Sequence, residues 1–121
     1  MNTARHAVRR IGLFGGSFDP VHIAHVTLAR SALDDLALDE LRWIPAGQPW
    51  QKSRQLADSQ HRARMTELAI TDPELGDPRF TLETCELERP GPSYTIDTVL
   101  DLQQREPGQL WFLLIGQDQY V

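Results

Sequence analysis

The sequence predicts an α/β fold in which a parallel sheet carries helices on both faces. Two observations favour this class. Short apolar strand segments alternate with segments of helical spacing, in the order β-α-β-α-β-α-β. The last strand segment, Leu110 to Ile115, is a continuous apolar run of six residues, which is typical of a strand buried on both faces. A chain of 121 residues suits one domain over residues 1–121.

The other strands are predicted from short apolar runs that end at a turn signal. Arg10 to Phe14 forms the first strand and is followed by Gly15-Gly16. Leu41 to Ile44 forms the second strand, which ends at Pro45, and Phe80 to Cys85 forms the third. Because ligands of such sheets bind at the carboxyl ends of the strands, the residues after the first strand lie where a site is expected.

Helices are predicted where apolar residues recur every three or four positions. The first begins at Ile23, the second is capped by Asp58 or Ser59, and the third follows Ser93. Residues 45–57 form a loop between the second strand and the second helix. The apolar residues that mark these helices are Val26, Ala29, Leu33 and Leu36 in the first, Met65, Leu68 and Ala69 in the second, and Ile96, Val99 and Leu100 in the third.

Composition excludes several classes of protein. The net charge of −5 and the sequence pI of about 5.2 argue against a broad nucleic-acid surface, which needs clustered Lys and Arg. The single cysteine, Cys85, rules out an internal disulfide and fits a cytosolic setting. No window is long and apolar enough to span a membrane, and the first residues do not have the pattern of a signal peptide. We therefore expect a cytoplasmic protein without membrane or nucleic-acid partners.

The stretch "GGSFDPVHIAH", residues 15–25, combines features that suit an anion. Glycines allow left-handed backbone and close approach of backbone amides, and the helix that follows favours negative charge at its start. His22 and His25, three residues apart, share one face of that first turn. Taken singly, the glycine pair could be an ordinary turn and each histidine a cap or a solvated side chain. A zinc site is disfavoured, because zinc usually takes at least three protein ligands.

These residues resemble the signature of the nucleotidylyltransferase superfamily, a glycine turn, then Ser/Thr-Phe-Asp-Pro, then His-x-Gly-His. Further segments resemble bacterial nicotinate-nucleotide adenylyltransferases in the same order along the chain: "WIPAGQPWQK", "RMTELAI", "ELERPGPSYTIDTVLDL" and "FLLIGQD". Two departures stand out. Ala24 replaces the usual glycine between the histidines, and we expect it to be tolerated. Trp50-Gln51 replaces the usual Pro-His before Lys52.

The resemblance implies a Rossmann-like doubly wound parallel sheet of about four strands and three helices. It also implies a transferase of NAD biosynthesis that moves the adenylyl group of ATP to nicotinate mononucleotide and releases pyrophosphate. His22 and His25 are the implied catalytic residues, and they would donate to the α- and β-phosphates. A bound triphosphate would favour a protonated imidazole that donates from both nitrogens. Mg²⁺ would be bound through the ATP phosphates, with no metal site in the protein.

The resemblance also implies a set of substrate-binding residues. Backbone amides near the glycine turn hold phosphate oxygens, the loop lysine supplies a positive charge, the Ser-Tyr-Thr segment meets the nicotinate end, and the end of the last strand meets the nucleotide. On sequence alone the same residues also suit a solvated lysine, a helix N-cap and a turn. The set is Gly15, Gly16, Ser17, Phe18, Lys52, Tyr94, Thr95, Gly116 and Asp118.

Members of this family are longer and carry a later Ile-Ser-Ser/Ala-Thr-x-Ile-Arg-type motif. We therefore expect the fold to be incomplete, with the carboxy-terminal part missing and little transfer by these residues alone. With right-handed crossovers, the first two helices cover one face of the sheet and the third covers the other. One helix cannot bury a whole face, so Leu110 to Ile115 stays partly exposed, which favours a homo-oligomer. Two alternatives stay open, another nucleotidylyltransferase such as the phosphopantetheine enzyme, and a non-catalytic nucleotide-binding module.

Overall fold

The computed structural model describes residues 8–16, 18, 21–47, 59–88 and 95–114. Its elements are β1 (Arg10–Gly16), α1 (Ile23–Asp35), β2 (Glu40–Pro45), α2 (Ser59–Ile70), β3 (Phe80–Leu82), α3 (Cys85–Glu88), α4 (Thr95–Arg105) and β4 (Leu110–Leu114). The four strands form one parallel sheet in the order β3-β2-β1-β4. The predicted α/β class, the parallel sheet and the positions of the four strands are confirmed.

The strand order reverses beside β1. The chain passes from β1 outward to β2 and β3, and then returns to place β4 on the other side of β1. The carboxyl ends of β1, β2 and β4 therefore lie side by side, with Phe14 paired to Trp43 and to Leu114. Such a reversal point is where ligands bind in sheets of this kind, and β1 ends at it.

The two faces of the sheet are covered by different helices. Phe14, Trp43 and Phe80 of the strands form one buried cluster with residues of α1 and with Ile70 of α2. A smaller cluster on the other face contains Ile11, Leu13 and Ile44 together with Leu102 of α4. The predicted division, two helices on one face and the third on the other, is confirmed.

Within the described residues, no helix is of the length and apolar character that a membrane crossing requires.

The third strand is shorter than predicted. It ends at Leu82, the amide of Glu83 still donates to the Trp43 carbonyl (2.9 Å), and α3 then begins at Cys85. The amide of Leu87 donates to the Thr84 carbonyl (2.9 Å), which closes the first turn of this additional helix. The predicted buried strand position of Cys85 is therefore wrong, and the chain has four helices within the described residues, one more than expected.

Polar residues occupy several of the buried helix positions. In α2 the buried residues include Arg62 and Thr66, whereas Leu68, which the apolar pattern selected, is exposed. In α4 Thr98 and Leu102 are buried, whereas Ile96 and Leu100 are exposed. The spacing of apolar residues therefore predicted where these helices lie, but it did not predict which of their residues are buried.

The face under α4 is only partly apolar. Arg42 of β2 lies there and is almost fully buried. Its guanidinium donates to Glu40 (2.9 Å) and to both carboxylate oxygens of Glu106 (2.6 and 2.8 Å), and Glu83 lies 3.8 Å away. We call Arg42, Glu40, Glu83 and Glu106 the Arg42 cluster. On β4, Leu110 and Leu113 are 48% and 46% exposed, so the predicted partial exposure of this strand is confirmed for residues 110–114.

Charges in the Arg42 cluster hold one another in the ionised form. The hydrogen bond from Arg42 lowers the pKa of the Glu106 carboxyl below its usual value. Burial alone would raise the pKa of Glu40, but hydrogen bonds from Arg42 and Thr81 outweigh burial, and the net shift is downward. Arg42 alone does not balance three carboxylates, but Arg9 also pairs with Glu40 (3.0 Å) and Arg105 with Glu83 (3.3 Å). The cluster and these two arginines form an ionic network that replaces apolar packing beneath α4.

Candidate active site

The glycine pair lies inside β1 rather than after it. Gly15 pairs with Ile44 and Gly16 pairs with Pro45, both in extended backbone. A Cβ added to Gly15 would meet only the carbonyl oxygen of Ile44, at an ordinary 3.8 Å. Packing within the described protein therefore does not require glycine at position 15. The absence of a side chain there leaves the backbone at the strand end open to close approach.

Left-handed backbone in this region occurs at Phe18 and not at the glycines. Phe18 has φ 49°, an uncommon value for a bulky residue. Its side chain is 3% exposed and packs against Phe14 (5.4 Å between ring centroids) and Trp43 (5.4 Å). The buried ring offsets the unfavourable backbone, so Phe18 anchors the segment between β1 and α1. Residues in such backbone conformations cluster at ligand sites.

The two histidines lie together at the start of α1. His22 is the N-cap residue, with extended backbone (φ −111°, ψ 162°), and His25 is the third residue of the helix. The rings are stacked, with centroids 5.5 Å apart and planes inclined by 24°. His22 is exposed and His25 is half-buried. The prediction that both imidazoles share one face is confirmed.

A backbone hydrogen bond fixes the orientation of His25. The amide of His22 donates to Nδ1 of His25 (2.8 Å). A nitrogen that accepts a hydrogen bond carries no proton, so we assign the proton of the neutral ring to Nε2. The Phe18 ring meets the imidazole edge-on (5.3 Å, 88°), which restrains the ring further. Nε2–H is therefore the ring's hydrogen-bond donor in this arrangement. The protonated ring expected with a bound triphosphate stays a prediction.

The start of α1 is favourable for an anion. The first amides of a helix have no intrahelical acceptor, and the helix dipole adds positive potential at this end. The first turn of α1 contains no acidic residue. Negative charge is concentrated elsewhere, in an open cleft beside α4 that is lined by Glu83, Cys85, Glu88, Asp97, Asp101 and Arg105. That cleft would repel a polyphosphate, so the histidine end is the better candidate for one.

Arg62 holds the backbone that follows β2, next to the end of β1. It is 1% exposed in α2 and donates to the carbonyl oxygens of Ala46 (2.8 Å) and Gly47 (3.1 Å), just past β2. The amide of Ala46 in turn donates to the carbonyl oxygen of Gly16 (2.8 Å). Sequence reasoning missed Arg62, because an arginine in an amphipathic helix ordinarily reads as a solvated residue.

The structure locates only part of the predicted substrate set. Gly15, Gly16, Phe18, His22 and His25 come together at the β1–α1 junction, and we call these five residues the opening turn. Thr95 is the first residue of α4. The remaining predicted residues lie outside those that the structure describes, and they are Ser17, Lys52, Tyr94, Gly116 and Asp118. Among the described residues, no group of three or more His, Cys, Asp or Glu side chains could hold a metal ion.

Comparison with known proteins identifies relatives of the whole chain. The family model described as cytidylyltransferase-like matches residues 13–121. A "Probable nicotinate-nucleotide adenylyltransferase" of Methylibium petroleiphilum is 59% identical over 112 residues, which cover 93% of this chain and 51% of that protein. A protein of the same name from Bordetella petrii is 50% identical over 112 residues, covering 93% of this chain and 54% of the relative. The chain thus spans about half the length of these relatives.

A solved structure shares the fold. Nicotinic acid mononucleotide adenylyltransferase of Plasmodium falciparum, complexed with NaAD, superposes with a TM-score of 0.79 at 20% identity. The superposition covers 91% of this chain and 53% of that chain. A second structure of the Plasmodium enzyme, complexed with APC, gives a TM-score of 0.73 at 18% identity, covering 91% of this chain and 52% of that one. These likenesses confirm the Rossmann-like arrangement of the sheet.

Proposed function

Because the chain belongs to the cytidylyltransferase-like family, we propose that its opening turn binds the triphosphate of ATP and that the protein adenylylates nicotinate mononucleotide. One observation carries the proposal: two stacked imidazoles lie at the amino end of α1, beside the point where the strand order reverses. The names of the relatives support nicotinate mononucleotide as the acceptor. The products are nicotinate adenine dinucleotide and pyrophosphate, as in NAD biosynthesis.

The reaction needs no nucleophile from the protein. A phosphate oxygen of nicotinate mononucleotide attacks the α-phosphorus of ATP, and the bond from that phosphorus to the oxygen that bridges to the β-phosphate breaks. Pyrophosphate leaves with the bonding electrons. The protein must bring two polyanions together in line and stabilise charge on the transferring group.

The opening turn suits these tasks. Nε2–H of His25 is a directed donor for a phosphate oxygen, because its ring is held by the His22 amide and by Phe18. His22, stacked beside it and exposed, would contact the neighbouring phosphate. The start of α1 adds its dipole, and the strand end at Gly15 allows the triphosphate to approach the backbone. Ser17 and Lys52 stay predicted contributors.

Mg²⁺ would accompany the nucleotide in this proposal. The described residues of the opening turn offer imidazoles and amides and no carboxylate, so phosphate oxygens would hold the ion. When bound, it would neutralise part of the triphosphate charge.

The acceptor is proposed to lie at the amino end of α4. The amides of a helix start can donate hydrogen bonds to the nicotinate carboxylate, and Thr95 opens this helix. Asp97 lies in the same first turn, so these hydrogen bonds would have to outweigh its repulsion of the carboxylate. Tyr94, Gly116 and Asp118 stay predicted contacts of the substrates.

We also propose a cytoplasmic location and association of copies through β4. Cell fractionation would test the location, and sedimentation would test the association.

A pyrophosphate-release assay tests the proposal. Because little transfer is expected of these residues alone, the assay uses the chain extended to the full length of its relatives. It is supplied with ATP, Mg²⁺ and nicotinate mononucleotide, with the amide mononucleotide and with phosphopantetheine in parallel. We expect release with a pyridine mononucleotide and none with phosphopantetheine. ATP binding by calorimetry without release in any mixture would contradict the enzymatic proposal and favour a nucleotide-binding module.

A further inference from the structure

We propose that Glu86 is a positioning residue that, through Thr98, holds the amino end of α4 in register with the opening turn. The inference rests on the proposed function, because that function places the two substrates at these two ends. It follows from three contacts that join β1, β2, α3 and α4 into one rigid path.

The first contact joins β1 to the end of β2. The Ala46 amide donates to the carbonyl oxygen of Gly16 (2.8 Å), and the buried guanidinium of Arg62 holds the carbonyl oxygens of Ala46 and Gly47. One hydrogen bond therefore joins the end of β2 to the last residue of β1, and two more join the residues after β2 to α2. Hydrogen bonds from a charged, buried donor are the stronger kind.

The second contact joins the end of β2 to α3. A Cβ on Gly47 would lie 2.1 Å from the carbonyl oxygen of Glu86 and 3.4 Å from the Cα of Leu87. Real Cβ atoms do not approach backbone so closely, so the two backbones touch directly and glycine is required here. The short helix α3 is therefore seated against the strand end without an intervening side chain.

The third contact joins α3 to α4. The hydroxyl of Thr98 donates to Oε2 of Glu86 at 2.6 Å, the length of a charge-assisted hydrogen bond. Thr98 is 2% exposed, and it is the fourth residue of α4, so the bond acts on the amino end of the helix. A buried hydroxyl bonded to a carboxylate is costly to leave unpaired.

Together these contacts set the separation between the two proposed substrate positions. In-line transfer depends on that separation, since a misplacement of about 1 Å can cost about 10²-fold in rate. Loss of the Glu86–Thr98 bond should release the amino end of α4 while the Gly16–Ala46–Arg62 contacts keep the opening turn in place. The acceptor site should therefore be affected and the ATP site should not.

Thr98→Val and Thr98→Ser form the matched test pair, because valine keeps the shape without the hydroxyl and serine keeps the hydroxyl. We expect Thr98→Val to raise KM for nicotinate mononucleotide by about tenfold or more, with KM for ATP changed by less than about twofold. Thr98→Ser should behave as the wild type. Glu86→Gln keeps an acceptor oxygen, so its KM for nicotinate mononucleotide should lie between those of the two Thr98 variants. It replaces Thr98→Val in the test if that variant folds poorly.

Amide hydrogen exchange provides a readout that does not depend on turnover. Exchange over residues 98–101, whose amides are bonded within the helix, should be at least about threefold faster in Thr98→Val than in Thr98→Ser, with residues 102–105 unchanged. Equal exchange in the two variants overturns the proposal, and so does faster exchange with both KM values unchanged. A wild type that transfers no adenylyl group contradicts the proposed function, and the exchange comparison then still decides whether Glu86 holds α4.

Discussion

The opening turn and the Arg42 cluster are both polar groups beside the central strands, but they use their polar atoms in opposite ways. In the Arg42 cluster, the guanidinium donates hydrogen bonds to carboxylates on the α4 side of the sheet, and Arg9 and Arg105 pair with the same group of carboxylates. In the opening turn, the two imidazoles are stacked near solvent, and one ring nitrogen of His25 is used to orient the ring. The first arrangement uses its polar atoms within the fold, and we propose that the second presents donors to a ligand.

The comparison shows how to separate a structural polar group from a binding group in this molecule. Removing part of the Arg42 cluster should lower the free energy of unfolding. Altering the opening turn should lower nucleotide binding or turnover with a smaller effect on stability.

Arg42→Met should give the largest loss of stability. It leaves the carboxylates of Glu40 and Glu106 without their main partner, and breaking a buried pair in this way costs about 3–5 kcal/mol. Urea unfolding measures the loss. Arg64→Met is the control, because Arg64 pairs with Glu67 on an exposed part of α2 and should change stability by less than about 0.5 kcal/mol. Equal losses in the two variants would show that the Arg42 cluster is not a structural unit.

His25→Asn should lower kcat by about 10²-fold, which corresponds to about 2.7 kcal/mol. Asparagine can still accept the hydrogen bond from the His22 amide, but it has no atom at the Nε2 position. His25→Gln is the matched variant, since its amide can reach the Nε2 position while the bond to His22 is lost. We expect glutamine to retain more activity and asparagine to retain more thermal stability. Near-normal kcat in His25→Asn would remove His25 from the proposed chemistry.

Gly15→Ala should weaken ATP binding by about tenfold and leave the fold intact. Among the described residues the methyl group meets an ordinary contact with the Ile44 carbonyl oxygen, so we ascribe a loss of binding without a loss of stability to the approach of a ligand. Calorimetry with ATP and thermal unfolding measure the two effects. Gly47→Ala is the contrasting variant, because its methyl group would collide with the Glu86 carbonyl and cost about 1–3 kcal/mol of stability. If Gly15→Ala binds ATP normally, the strand end does not contact the triphosphate.

Acid should weaken the wild type more than Glu106→Gln, and this is the smallest expected effect. The pKa of the Glu106 carboxyl is lowered in the folded protein by the hydrogen bond from Arg42. Its contribution to stability is therefore complete above the usual glutamate value of 4.5 and is lost as the pH falls through the lower folded pKa. Urea unfolding between neutral pH and about pH 3 measures the slopes. If the free energy of unfolding falls equally steeply with pH in the two proteins, the lowered pKa of Glu106 does not contribute to stability.

Patterns within a few neighbouring residues predicted much of this structure. The strands ending near Gly15-Gly16 and Pro45 and the helix beginning at Ile23 follow from short apolar runs and turn signals. The imidazole pair follows from three-residue spacing at a helix start. These features depend on local chemistry, so a single sequence contains enough information to place them.

Features made by distant residues could not be predicted in the same way. Arg42 and Glu106 are 64 positions apart, and nothing in either neighbourhood indicates the other. The helix α3 has only four residues, which is too short to show a period. The left-handed backbone of Phe18 has no residue signature of its own, because asparagine or glycine is the usual choice there.

Nitrogen-15 spectroscopy of the histidine rings, recorded without and with ATP, shows whether the two imidazoles at the start of α1 bind the triphosphate. We predict that His25 in the free protein is unprotonated at Nδ1 and protonated at Nε2, and that ATP shifts the Nε2 signals of both His25 and His22. A His25 ring protonated at Nδ1 in the free protein, or ATP binding that leaves both rings unperturbed, would contradict the account.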